Sequence, residues 1–213
     1  MKKLLMLIPA ALLGQVEHQH HPPRSAAEYA KVLENPARDA WQKPHEVMQA
    51  LALRPNESVA DIGVGSGYFA RRMAHHAAKV YAVDIDAKLL ELTKANSPAN
   101  VETVLAAPDD PRLPEGSVDT IFICDVLHHI SNRPGYYAKL AKALKPGGRI
   151  VIIDFYKRQL PVGPPVSMKL SEGEVKAELE AAGFTQRKSH DFLPHQYFLE
   201  FVRGRPQPSA AEH

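Results

Sequence analysis

The chain has 213 residues, of which 45% are hydrophobic, and its formal net charge is +2. This length favours one domain with a sizeable core over two domains. Because basic and acidic residues are mixed along the chain, they predict no basic face and no nucleic-acid partner. The single cysteine, Cys124, excludes an internal disulfide and a zinc site with the usual cysteine spacing, and its apolar neighbours predict that it is buried.

The N-terminus has the pattern of a secretory signal. Lys2 and Lys3 precede an apolar run, Leu4–Leu13, which is too short to span a bilayer as a helix. Residues 1–25 are therefore interpreted as a signal-like segment followed by a polar linker, and export is predicted. An uncleaved membrane anchor and an ordinary cytoplasmic N-terminus stay open as alternatives. We expect membrane contact only through this segment.

Helix and strand patterns alternate after the linker. Helices are predicted over residues 26–33, 44–53, 68–77, 87–94 and 136–144, and strands over residues 58–62, 79–83, 101–105, 120–124 and 149–153. Alternation of this kind predicts an α/β domain with a mostly parallel, doubly wound sheet that is covered on both faces.

The last third of the chain has a different pattern. Residues 159–166 are too rich in proline for a regular helix, whereas Ser171 and Glu174 have capping-box spacing and predict a helix over 171–182. Two short strands, 185–189 and 197–202, predict a terminal antiparallel hairpin. The globular domain is expected to cover residues 26–203, and a disordered tail is expected over 204–213.

A glycine loop after the first strand is the central motif. Gly63, Gly65 and Gly67 follow an apolar strand directly and precede a predicted helix, which lets the backbone turn sharply and approach a ligand. Such a loop also occurs in dinucleotide dehydrogenases, whose pattern ends in a small residue. Here Tyr68 stands at that position, so the sequence favours a ligand without a diphosphate.

Acidic residues follow the next two predicted strands. Asp84 comes about 20 residues after Gly63, the spacing at which a carboxylate can accept hydrogen bonds from ribose hydroxyls. Asp109 and Asp110 follow the third strand, where a carboxylate could meet an adenine amino group. The alternatives are a strand-end cap for Asp84 and simple turn residues for Asp109 and Asp110.

These motifs together resemble the class I S-adenosylmethionine-dependent methyltransferases, and most closely the small-molecule group that includes the ubiquinone/menaquinone methyltransferases. The matching segments, in the family's order, are Asp61–Gly67, Val80–Asp86, Asp109–Pro114, Val118–His129 and Leu144–Arg149. The resemblance implies a Rossmann-like seven-stranded sheet whose last strand is antiparallel, S-adenosylmethionine as the cofactor, and a small-molecule acceptor.

The resemblance also implies roles for individual residues. Asp61 and the loop from Gly63 to Gly67 would surround the methionine end of the cofactor. Asp84 would hold the ribose, with Ile85 beside it. The remaining assignments are Asp109 facing adenine with Asp110 next to it, and Asp125 at the mouth of the fourth strand near cofactor and acceptor.

Several residues have candidate roles in the reaction. Methyl transfer needs an in-line nucleophile and a dry site, and we expect no metal. His128 and His129 are candidate general bases, with a purely structural role as the alternative. The segment Arg38–Pro44 is a candidate lid, unless Trp41 only anchors the core. Candidates for the acceptor pocket are Tyr156, Lys157 and His195.

Three functions are therefore compared. The first is an active methyltransferase on a small acceptor. The second is an exported S-adenosylmethionine-binding protein of the same fold without turnover. The third is a nucleotide-dependent oxidoreductase, which Tyr68 disfavours.

Overall fold

The computed structural model describes residues 25–204. The predicted signal segment, almost all of the linker and almost all of the predicted tail lie outside this range. Within it, the helices are α1 (Ala26–Leu33), α2 (Asp39–Gln42), α3 (Pro44–Leu51), α4 (Ala70–Met73), α5 (Ala87–Ala95), α6 (Arg133–Ala143) and α7 (Glu172–Ala181). The strands are β1 (Ser58–Ile62), β2 (Lys79–Asp84), β3 (Val101–Leu105), β4 (Val118–Cys124), β5 (Leu144–Phe155), β6 (Phe184–His190) and β7 (Gln196–Arg203).

These strands form one seven-stranded sheet in the order β3-β2-β1-β4-β5-β7-β6. The strands from β1 to β5 pair in parallel, and β7 runs antiparallel to both of its neighbours. This confirms the predicted Rossmann-like sheet with an antiparallel last strand. The strand order reverses between β1 and β4, so the carboxyl ends of these strands border the crevice where open α/β sheets bind ligands.

Both faces of the sheet are covered. On one face, Ile121 and Ile123 of β4 belong to a buried cluster that includes residues of α6 and α7. On the other face, Phe122 belongs to a second cluster that includes residues of α3 and α4. Successive side chains of a strand point to opposite faces, so a continuous apolar run such as that in β4 is what a doubly covered sheet requires.

Three predicted helices had wrong bounds. The one predicted over 44–53 ends at Leu51. The helix predicted over 68–77 is reduced to α4, because the His75 and His76 N–H groups bond to carbonyls only three residues earlier, those of Arg72 and Met73. The helix predicted over 136–144 begins earlier, at Arg133, because Asn132 caps it through the Gly135 N–H. It ends at Ala143, since the next residue already pairs within β5.

Other local predictions were confirmed. Helix α1 has the predicted bounds, and the Ser171–Glu174 capping box begins α7. The two C-terminal strands form the expected hairpin, and each is longer than predicted by one residue at either end. In the part of the chain that the structure describes, no helix has both the length and the apolar character needed to cross a bilayer.

Candidate functional site

A cavity of about 760 Å³ opens at the carboxyl ends of β1, β2, β4 and β5. This volume lies in the range of sites that enclose a cofactor or a drug-sized ligand. The loop after β3 and the N-terminal segment from Tyr29 to Trp41 complete the wall. Among the predicted site residues, the wall contains Asp61, Gly63, Gly65, Asp84, Ile85, Asp125 and His129.

The glycine loop brings backbone to the cavity wall in a conformation that side chains oppose. Gly63 has φ +70°, and a Cβ atom there would lie 2.2 Å from a methyl group of Val126. Gly65 has φ +55°, and its carbonyl accepts a hydrogen bond from the Thr93 hydroxyl at 2.9 Å. Gly67 lies behind the wall, where it packs against Thr93 and Arg71.

Asp84 fixes this loop and also faces the cavity. One carboxylate oxygen accepts a hydrogen bond from the Gly65 N–H at 2.8 Å, and the other accepts one from the Asp86 N–H at 3.0 Å. Hydrogen bonds to a carboxylate are stronger than those between neutral groups, so they hold the Asp84 side chain in one orientation. Ile85, which follows, is 62% exposed at the cavity edge.

Asp109 and Asp110 do not contribute to the cavity wall. Both carboxylates lie near the Lys139 ammonium, at 3.7 Å and 3.2 Å, and the Asp110 carboxylate also accepts a hydrogen bond from the Arg112 N–H. These contacts are those of surface turn residues, the alternative left open from the sequence. The wall in this region consists of Ala106, Ala107 and Pro108 instead. Neither carboxylate lies in the cavity wall, and contact of either one with adenine stays a prediction.

The N-terminal segment crosses the cavity and contributes the Arg38 guanidinium. This group lies 4.3 Å above the Tyr68 ring, donates to Gln42 Oε1 at 3.0 Å, and lies 3.4 Å from an Asp125 carboxylate oxygen. Trp41 lines the cavity and its ring centroid is 5.7 Å from that of Phe155. The segment predicted as a lid thus forms part of the wall.

Two buried amides tie this segment to the end of the sheet. Gln42 Nε2 donates to Gln196 Oε1 at 2.9 Å, and Gln196 in turn donates to the Asp125 carboxylate. Both glutamines are fully buried. Sequence reasoning missed them, because no local motif connects two residues so far apart in the chain. Asp125 itself has φ +60°, an uncommon conformation for a non-glycine residue.

Two carboxyl groups in the wall have strongly perturbed acidities. Burial raises the pKa of Asp61 to about 7, against the opposing effect of the Arg38 guanidinium. Burial likewise raises the pKa of Asp125 to about 7, again opposed by Arg38 and further raised by the charge of Asp154. Perturbed groups of this kind concentrate at functional sites.

The two histidines occupy different environments. The His128 side chain is 3% exposed, and its Nδ1 lies 2.9 Å from an oxygen of Asp154, a fully buried residue of β5. His129 lines the cavity, and its ring centroid lies 4.2 Å from that of His128. Desolvation lowers the pKa of His129 from 6.5, and the charge of His128 lowers it further. Asp154 is a partner that the sequence did not reveal.

The three remaining candidates lie outside the wall. Lys157 pairs with Glu174 at 2.8 Å, and the Tyr156 N–H donates to the His195 carbonyl at 3.1 Å. Cys124, by contrast, is buried as predicted and also lies in the cavity wall, where desolvation raises the pKa of its thiol. The described residues contain no group of three or more histidine, cysteine or acidic side chains placed to hold a metal ion.

The sheet order and the glycine loop are those of class I methyltransferases that use S-adenosylmethionine, and this is the class of protein that the fold and the site define. Residues 60–152 match the family model described as a methyltransferase domain, and the chain is similar to that family over this segment. The resemblance drawn from the sequence is thereby confirmed.

Relatives and solved structures agree with this assignment. The demethylmenaquinone methyltransferase of Tropheryma whipplei (strain Twist) is 32% identical over 116 residues, which are 54% of this chain and 48% of that protein. The ubiquinone/menaquinone biosynthesis C-methyltransferase UbiE of Francisella philomiragia is 28% identical over 174 residues, 78% of this chain and 66% of that protein. The chain thus spans about half to two thirds of these curated relatives.

A solved structure matches over more of its length. The crystal structure of a SAM-dependent methyltransferase from Aquifex aeolicus superposes with a TM-score of 0.76 at 25% identity. The match covers 84% of this chain and 98% of that structure. The similarity therefore extends over the whole sheet and is not confined to the glycine motif.

Proposed function

We propose that this protein binds S-adenosylmethionine in the cavity and transfers its methyl group to a small acceptor. The observation that carries the proposal is the charge of the wall. Among the described residues, the wall contains four carboxyl groups, on Asp61, Asp84, Asp86 and Asp125, and one guanidinium, on Arg38. Such a wall attracts a ligand with a sulfonium and an ammonium group, whereas it repels the diphosphate of a dinucleotide. This disfavours the oxidoreductase alternative.

The wall also suggests how the cofactor lies. The carboxylate of Asp84 is oriented to accept hydrogen bonds from ribose hydroxyls, and the exposed Ile85 offers an apolar surface beside it. Arg38 is placed to pair with the methionine carboxylate, while Asp61 and Asp125 balance the ammonium and sulfonium charges. When bound, the cofactor supplies a methyl group with a good leaving group, so the protein supplies orientation and exclusion of water.

The acceptor is assigned to the end of the cavity near β4 and β5. Trp41, Phe155 and Val162 form apolar wall there, beside His129. Apolar walls exclude water from the methyl group and fit a small organic acceptor. Two of the relatives are a demethylmenaquinone methyltransferase and a methyltransferase of ubiquinone/menaquinone biosynthesis, and that similarity supports a small-molecule acceptor for this chain.

Turnover separates an active enzyme from the binding protein without catalysis. The full chain is incubated with methyl-labelled S-adenosylmethionine and the small-molecule fraction of a cell extract. We expect label in a small-molecule product together with an equal amount of S-adenosylhomocysteine. Tight binding of S-adenosylmethionine without any S-adenosylhomocysteine would support the binding protein instead.

The role of Arg38 is tested by substitution. We expect Arg38→Gln to weaken S-adenosylmethionine binding about 10- to 150-fold, the effect of losing one hydrogen-bonded charge. Arg187→Gln is the matched control, because Arg187 is exposed on β6 and does not line the cavity. Equal effects of the two substitutions in calorimetry would contradict the assignment.

We also propose that the protein is exported through its N-terminal segment. The support is the basic start and the apolar run Leu4–Leu13, which lie outside the described residues. Cell fractionation and the mass of the mature protein test this proposal. A full-length protein found only in the cytoplasm would contradict it.

A further inference from the structure

Asp154 is a carboxylate in the interior of the protein, next to the proposed acceptor end of the cavity. It is fully buried in β5, and its oxygens accept hydrogen bonds from the Phe155 N–H at 2.8 Å and from His128 Nδ1 at 2.9 Å. Burying a charge is costly unless it is paired. Neighbouring positions of β5 hold isoleucine and valine, so an acidic residue here indicates a purpose beyond packing.

His128 connects this carboxylate to the cavity. A carboxylate accepts only from a protonated nitrogen, so Asp154 holds the His128 proton on Nδ1 and fixes the plane of the ring. The ring of His129 lies against it, with centroids 4.2 Å apart. Of the two histidines, His129 lines the cavity. The buried Asp154 carboxylate therefore contacts His128, and His128 contacts His129, which a ligand in the cavity can reach.

The backbone fixes His129 in this place. Leu127, His128 and His129 form a 3₁₀ turn, in which Leu127 is fully buried and the His129 N–H donates to the Val126 carbonyl at 2.8 Å. Because the pKa of His129 is lowered from 6.5, its imidazole is neutral at pH 7 and carries a lone pair that can accept a proton.

We propose that His129 takes the proton released by the methyl acceptor, and that His128 and Asp154 are the positioning residues behind it. The proposal rests on the proposed function and extends it to the acceptor. In the reaction, an electron pair of the acceptor forms the bond to the methyl carbon: a lone pair on oxygen or nitrogen, or the pair that a C–H acid keeps when its proton leaves. The carbon–sulfur bonding pair stays with the departing thioether, and the acceptor's proton moves to the free ring nitrogen of His129, which later releases it to water.

The proposal narrows the class of acceptor. A base beside the methyl group is useful only when the nucleophile carries a proton that it must lose. The acceptor is therefore an O–H, N–H or C–H acid, whereas thioethers and tertiary amines, which react without losing a proton, are excluded.

Other charged groups interact with the cluster of Asp154, His128 and His129, and they therefore affect how the histidines titrate. Asp125 at the end of β4, Lys169 after the 3₁₀ turn Val166–Met168, and Tyr197 of β7 all interact electrostatically with Asp154. The test therefore compares single substitutions with one another in the full chain, so that these contributions stay constant.

The positioning role is tested by following the His129 ring with NMR as pH is varied. Asp154→Asn removes a negative charge that favours protonated His129, so we expect its titration midpoint to fall. His128→Asn removes a neighbouring positive charge, so we expect the midpoint to rise. Asp109→Asn, outside the cavity wall, is the control and should leave the midpoint unchanged. His128→Asn keeps the test decisive if Asp154→Asn fails to fold. An unmoved midpoint in the folded variants overturns the positioning role.

The catalytic role is tested by comparing two loaded forms of the wild-type chain. S-adenosylmethionine carries a sulfonium charge that S-adenosylhomocysteine lacks. If His129 faces the methyl group, its titration midpoint should be lower with the former, by about one pH unit for a unit charge nearby. Binding of both compounds with equal midpoints would overturn this inference while leaving the proposed function intact. Failure of both compounds to bind would overturn the proposed function, and the inference with it.

Discussion

Gly63→Ala is expected to destabilise the protein through two separable effects. A left-handed conformation costs a non-glycine residue about 1–2 kcal/mol, and Gly63 has φ +70°. The new Cβ atom would also lie 2.2 Å from a Val126 methyl group, and overpacking of this kind costs about 1–3 kcal/mol more. The expected total is about 2–5 kcal/mol of unfolding free energy.

Gly116→Ala is the matched control for this prediction. Gly116 has φ +59°, but nothing lies within 4 Å of the position of its Cβ atom, so only the backbone effect of about 1–2 kcal/mol applies. Urea unfolding of both variants measures the difference. Val126→Ala in the Gly63→Ala background should recover part of the loss, since it removes the clashing methyl groups. Equal destabilisation by the two glycine substitutions would refute the argument that Val126 closes against the loop.

Two further predictions concern the wall of the cavity. The folded-state pKa of Asp61 is raised to about 7, so its protonated form stabilises the fold at low pH and this contribution is lost as pH rises through 7. The wild type should therefore lose stability between about pH 5.5 and about pH 8. In urea unfolding, Asp61→Asn should reduce this loss by on the order of 2 kcal/mol. An unchanged pH dependence would contradict the raised pKa. Gln42→Ala should cost about 1–3 kcal/mol and weaken S-adenosylmethionine binding, because the buried Gln196 Oε1 loses its donor and the Arg38 guanidinium loses its Gln42 acceptor. Full stability of this variant would show that the buried amides are not coupled.

The sheet could be predicted because its information is local. The central strands β1, β2 and β4 are short, mostly apolar runs bounded by turn residues, and the order of glycine loop, Asp84 and the later motifs resembles one known class. Where the prediction of helices was wrong, tertiary contacts decided the outcome. Tyr68, for example, hydrogen-bonds to Asp39 and lies under Arg38, so the segment after the loop does not begin as a regular helix.

The site was less predictable, since much of it depends on contacts between distant parts of the chain. Gln42 forms a buried hydrogen bond with Gln196, and Asp154 contacts His128, but neither pair has a spacing that a motif could reveal. Local reasoning also assigned Asp109 to adenine, because a carboxylate after a strand resembles one that binds a ligand. It could not show that this carboxylate lies 3.7 Å from the Lys139 ammonium of α6, outside the wall, and the adenine contact stays a prediction.

Calorimetric titration with S-adenosylmethionine tests the central claim most directly. We expect one molecule to bind per chain, NAD to give no heat, and Asp84→Ala to weaken binding about 10- to 150-fold. Asp191→Ala should bind like the wild type, because Asp191 is exposed and lies outside the wall. Absence of binding by the wild type, preference for NAD, or full affinity in Asp84→Ala would contradict the account.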